Sequence, residues 1–117
     1  MIAQIRLRLV GIQLRILLIG VGAVGAVIAT HLVDNSEVSH VILGDVDIER
    51  TRFLTEKLGS TKASAMQVDA GNREDLMKAM KKIDVVVNAT VPRFNLSIMD
   101  AALQSKVHYI DLERYTF

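Results

Sequence analysis

The chain has 117 residues, half of them apolar, with a net charge of +1 and no cysteine. That length and apolar content predict one domain with its own core, and the small charge gives no field to draw nucleic acid or an acidic membrane. The missing cysteines exclude disulfides, thiolate metal sites and cysteine nucleophiles, and His31, His40 and His108 lie too far apart in sequence to form a metal-ligand motif.

Residues 1–14, MIAQIRLRLVGIQL, alternate Ile5, Leu7 and Leu9 with Arg6 and Arg8, a period of two that predicts a short strand-like extension. A signal peptide is the rival, but arginines break its apolar region and no small-residue cleavage site follows. Arg15 and the glycines after it also keep the longest apolar run below the length of a membrane span. A cytoplasmic protein is the resulting expectation.

From Arg15 two periodicities take turns. Ile16 to Ile19 is fully apolar, as in a strand buried on both faces. Val24, Val27, Ile28 and Leu32 recur at helical spacing, and Asp34-Asn35-Ser36 ends that helix. Val38 to Leu43 reads as strand. Asp47 is placed to cap a helix carrying Ile48, Leu54 and Leu58, which Gly59 stops. Ala63 to Val68 is a weaker, alternating strand. Asn72 caps a helix with Glu74 and Asp75 in its first turn and Leu76 and Met80 on its apolar face, and Lys81 and Lys82 suit its C-terminal end. Ile83 to Ala89, with three consecutive valines, is the strongest strand signal. A helix from Asn95 through Ile98, Ala102 and Leu103 and a strand from Val107 to Leu112 complete the chain. Strand and helix alternate through five strands, which predicts an α/β fold: a three-layer, Rossmann-type, doubly wound parallel sheet over residues 15–117.

Between the first strand and helix stands Gly20-Val21-Gly22-Ala23-Val24-Gly25, G-x-G-x-x-G. The pattern alone is weak, but strand before and helix after is the context of a dinucleotide fingerprint. Gly20 would permit the tight turn, Gly22 would let a pyrophosphate reach the backbone, and Gly25 would let helix and strand pack closely. Ala23 and Val24 carry the helix start whose N–H groups and dipole suit an anion. Asp45, with Val46 after it, ends the second strand twenty positions beyond Gly25. A carboxylate there accepts ribose hydroxyls and repels a 2′-phosphate, so the expected cofactor is NAD in preference to NADP. A turn or cap role competes for Asp45, and Arg50 and Arg52 read more naturally as a solvated helix face than as phosphate ligands. Asp69 and Ala70 end the third strand near the expected adenine position, with a turn acid as the equal alternative. Asn88, Ala89 and Thr90 end the fourth strand at the topological switch point, small and polar enough to pass the nicotinamide-side ribose, though Pro92 equally suits a structural loop.

Three stretches, LLIGVGAVG, VDAGNREDLMKAMKKIDVVVNATVP and MDAALQSKVHYIDLE, resemble the N-terminal nucleotide-binding domain of the saccharopine dehydrogenase-like reductases, which include lysine and carboxynorspermidine dehydrogenases. Asp69, Asn88-Ala89 with Pro92, and His108-Tyr109-Ile110-Asp111 follow the family's later motifs in order, over about residues 15 to 113. The resemblance implies an oxidoreductase acting on amino-acid or imine substrates by hydride transfer. It also implies a larger C-terminal domain for substrate, catalysis and dimerisation, which this chain does not contain. The chain alone is therefore expected to bind dinucleotide without turnover, and no residue stands out as catalytic. A non-enzymatic NAD(H)-sensing domain, like those of potassium transport systems, is the alternative. It shares the glycines and both acids but departs at Val91-Pro92-Arg93-Phe94. A short-chain dehydrogenase is discounted because no Tyr-x-x-x-Lys pair occurs.

Overall fold

The computed structural model describes residues 13–112. The strand-like segment expected around Ile5 to Leu9 lies outside them. Five strands, β1 (Leu14–Ile19), β2 (Val38–Asp45), β3 (Ala63–Gln67), β4 (Val85–Asn88) and β5 (His108–Asp111), form one parallel sheet in the order β3-β2-β1-β4-β5. The helices between them are α1 (Ala23–Val33), α2 (Ile48–Leu58), α3 (Arg73–Ala79) and α4 (Asn95–Ser105), the last preceded by a 3-10 turn at Pro92–Phe94.

β1 shows why the fold is doubly wound. Its consecutive apolar residues point to opposite faces. Leu17 and Ile19 enter a core with Leu76 and Ala79 of α3 and Ile98, Ala101 and Ala102 of α4. Ile16 and Leu18 enter a second core with Ala29 of α1, against which Leu54 and Leu58 of α2 also pack. A central strand clad on both sides has no use for a polar face, hence the unbroken apolar run. The edge strand β3 is only partly covered, and its weak, alternating sequence follows from that.

The ends of the helices follow the predicted chemistry. Asp47 caps α2 by accepting the Arg50 N–H, Gly59 ends it in the left-handed conformation at φ 61°, and Asn72 caps α3 by accepting the Asp75 N–H. Two expectations need correction. Of the predicted apolar stripe of α1, Ile28 and Leu32 pack against the core, but Val24 and Val27 are 59% and 58% exposed, and the buried residues of α1 are Gly25 and Ala29. The reason is proximity, because a Cβ on Gly25 would stand 1.9 Å from the Gly20 carbonyl oxygen, so the buried face must be the one with the smallest side chains. Arg50 does not belong to a purely solvated face either, since its guanidinium pairs with Asp45; Arg52 does, pairing along the helix with exposed Glu49.

Candidate functional site

Strand order reverses between β1 and β4, the place where open α/β sheets leave a crevice beyond the strands' C-terminal ends. A cleft of about 680 Å³ opens there. Its walls come from the turn after β1, the end of β2, the loop after β3 and the loop after β4.

The turn after β1 is held from both sides. The Gly20 N–H donates to the Gly44 carbonyl at 2.8 Å, and the Ala89 N–H donates to the Ile19 carbonyl at 2.8 Å. Gly20 sits at φ 101°, and a Cβ on it would meet the Ala89 carbonyl oxygen at 2.7 Å, so both conformation and space demand glycine. Gly22 differs. A Cβ there would meet nothing within 4 Å, and Gly22 lines the cleft at the start of α1. Packing does not require glycine at this position; open access to the backbone beside a helix N-terminus does fit a phosphate group.

Asp45 closes the β2 side. Its Oδ2 accepts the Val21 N–H at 2.9 Å and faces the Arg50 guanidinium at 3.3 Å, while its Oδ1 accepts the Asp47 N–H at 2.9 Å. Burial pushes this carboxyl's pKa up, but the Asp47 and Val21 N–H groups and the Arg50 cation outweigh burial and hold it below its ordinary value. Asp45 is thus an ionised wall of the cleft and an anchor of the glycine turn together, while Asp47 supplies the cap. Asp69 makes the turn contact expected of it, its Oδ1 accepting the Gly71 N–H at 2.8 Å, and the residue also lines the cleft.

Of the candidate residues, Gly20, Gly22, Asp45, Val46, Asp69, Ala70, Ala89 and Thr90 line the cleft. Ala23, Val24 and Gly25 lie behind the turn on α1, and Asn88 is buried beneath Thr90 at the end of β4. Sequence reasoning missed wall residues such as Arg93 and Phe94, and it set Arg50, which also lines the cleft, on the solvated helix face. The Arg93 guanidinium stacks 4.8 Å from the Phe94 ring centroid. An arginine beside an aromatic just after the fourth strand was the available signal. No group of acidic or histidine side chains among the described residues could hold a metal ion, and no helix there is long and apolar enough to cross a membrane.

The family model described as the saccharopine dehydrogenase NADP binding domain matches residues 16–116. The chain is 37% identical to a carboxynorspermidine synthase of Vibrio cholerae serotype O1 over 111 residues, 82% of this chain and 26% of the relative. It is 25% identical to a carboxyaminopropylagmatine dehydrogenase of Synechocystis sp., covering 86% of this chain and 26% of that protein. It therefore spans about a quarter of the length of these relatives. Among solved structures, apo saccharopine dehydrogenase (L-Glu forming) from Saccharomyces cerevisiae superposes with a TM-score of 0.77 at 21% identity, over 91% of this chain and 22% of that one. A Veillonella parvula short-chain dehydrogenase/reductase in complex with NADP superposes at 0.69 and 18% identity, over 84% of this chain and 46% of that one, a likeness of fold.

Proposed function

Because the chain belongs to the saccharopine dehydrogenase NADP-binding domain family, we propose that its cleft binds and orients a nicotinamide dinucleotide for an oxidoreductase of amino-acid or imine substrates. The observation that carries this reading is Gly22, a glycine that packing does not need, opening the backbone to a cleft that a charged carboxylate also lines. The pyrophosphate would lie on the turn at Gly20 and Gly22 with the Ala23–Gly25 helix start behind it. The adenosine ribose would meet Asp45 and Val46, the adenine Asp69 and Ala70, and the nicotinamide half would pass Ala89 and Thr90 above Asn88. When bound, the nicotinamide supplies hydride exchange, and the chain's own residues supply position and a partly enclosed site.

Asp45 favours NAD in this arrangement, since a 2′-phosphate would face an ionised carboxylate. A second reading has its own support: the family is described for NADP, and Arg50 lines the same wall with a half-exposed side chain. Released from Asp45, its guanidinium would suit a 2′-phosphate. Calorimetric titration of NAD and NADP into the 117-residue chain tests both readings. Tighter NAD supports the ribose role of Asp45, tighter NADP makes Arg50 the reader, and failure of both to bind overturns the dinucleotide assignment.

The substrate domain and catalytic groups would be supplied by a further, larger domain, as the quarter-length match to the relatives suggests. The chain alone should accordingly show no change in NADH absorbance with lysine, saccharopine or related imines. A cytoplasmic location and a homodimer complete the proposal. Light scattering tests the dimer, for which the exposed Leu96 and Leu103 of α4 provide an apolar face.

A further inference from the structure

Asn88 is 1% exposed, and its amide uses every hydrogen-bonding position it has. One side accepts the Thr90 N–H at 2.9 Å and the Thr90 hydroxyl at 2.6 Å. The other donates to Asn95 Oδ1 at 2.7 Å and to the Tyr109 hydroxyl oxygen at 3.0 Å. The Tyr109 hydroxyl in turn donates to Asp111 Oδ2 at 2.9 Å. A backbone N–H can only donate, so the atom facing Thr90 N must be the amide oxygen. That fixes the amide's orientation, directs its two protons to Asn95 and Tyr109, and leaves Tyr109 to send its own proton to the Asp111 carboxylate.

The same logic fixes Thr90. Its single hydroxyl proton goes to Asn88 Oδ1, the nearer of its two acceptors, rather than to the Val91 carbonyl at 3.3 Å. Thr90 lines the cleft while Asn88 beneath it does not. We infer that Asn88 is a positioning residue that makes Thr90 Oγ1 an obligate hydrogen-bond acceptor toward the cleft, and that it reads a hydroxyl of the nicotinamide-side ribose. This rests on the dinucleotide reading above and specifies which part of the ligand meets β4. A phosphate oxygen has no proton to offer such an acceptor, whereas a ribose hydroxyl does. The loop's fixed position also sets the glycine turn, because Ala89 donates to Ile19 and its carbonyl flanks Gly20.

The test compares NAD, ADP-ribose and ADP by calorimetry on the 117-residue chain and its Thr90→Val and Thr90→Ser variants. ADP-ribose and ADP differ by the second ribose. Thr90→Val keeps the side chain's size and loses the acceptor, so NAD and ADP-ribose should each bind about three- to tenfold more weakly while ADP is unchanged. Thr90→Ser restores the hydroxyl and should stay within about twofold of the parent for all three. ADP weakened as much as ADP-ribose would mean that Thr90 only supports the loop. NAD weakened without ADP-ribose would move the contact to the carboxamide, and unchanged binding throughout would remove the contact; each result overturns the inference. None of these outcomes touches the dinucleotide reading, which falls only if the parent chain binds neither NAD nor NADP.

Discussion

The carboxylate of Asp45 accepts the backbone N–H of Val21 at 2.9 Å, so the residue placed to meet a ribose also ties the end of β2 to the glycine turn. Val21 is 3% exposed, so removing the carboxylate would take away the hydrogen-bond partner of a largely buried N–H.

Asp45→Ala should therefore act on stability and on binding together. A buried donor left unsatisfied costs about 1–3 kcal/mol, which thermal unfolding should register as a fall of several degrees. Loss of a charge-assisted bond to the ribose should weaken NAD on the order of ten- to a hundredfold. NADP should lose less, because the repulsion disappears and Arg50 is freed. Titration of both cofactors into parent and variant measures the change in preference, and an unchanged preference would leave Asp45 as a turn anchor alone.

Acid should reproduce part of the same effect. The folded-state pKa of Asp45 is depressed, because the Asp47 and Val21 N–H groups and Arg50 outweigh the opposing effect of burial. Its ionisation then contributes stability that is present in full above the unfolded value, about 3.9, and is lost as pH falls through the lower folded value. The melting temperature of the parent chain should fall more steeply below about pH 4 than that of Asp45→Asn, which has no carboxylate to titrate. Parallel curves would show that the carboxylate's charge contributes little to folding.

The alternation of elements was legible because each has a strong local cause: the apolar run Ile16 to Ile19, the caps Asp47 and Asn72, and the stop at Gly59. The glycine turn and the two strand-end acids were legible for the same reason, their spacing being fixed by the strand–turn–helix unit. The orientation of α1 was legible only in part: Ile28 and Leu32 pack against the core as their spacing suggests, but Val24 and Val27 do not. Helical spacing identifies apolar stripes, but which stripe is buried depends on how near the backbone of Gly20 lies, a tertiary distance that favours Gly25 and Ala29 over Val24 and Val27. The Arg50–Asp45 pair was hidden likewise, because a helix-face arginine gives no sign of the strand end its side chain reaches. The network on Asn88 joins residues 88, 90, 95, 109 and 111, and only the parallel pairing of β4 with β5 brings Tyr109 and Asp111 beside it.

The glycines provide the sharpest separation of folding from binding. Gly25→Ala places a Cβ 1.9 Å from the Gly20 carbonyl oxygen, a backbone atom that can move only if α1 shifts off the sheet. Its cost should exceed about 3 kcal/mol, among the larger effects of a single substitution. Gly22→Val meets open space, and its backbone at φ −70° and ψ −164° is one that L-residues adopt readily. The remaining cost is the poorer cap at that position, about 1 kcal/mol. Yet the branched side chain would project where the pyrophosphate must approach the turn, and binding should fall below detection by calorimetry. Thermal melts and titrations of the two variants should therefore order oppositely: Gly25→Ala the less stable, Gly22→Val the folded non-binder. A Gly22→Val variant that bound NAD or NADP like the parent would move the pyrophosphate off this turn and leave only Gly20 and Gly25 explained, by packing.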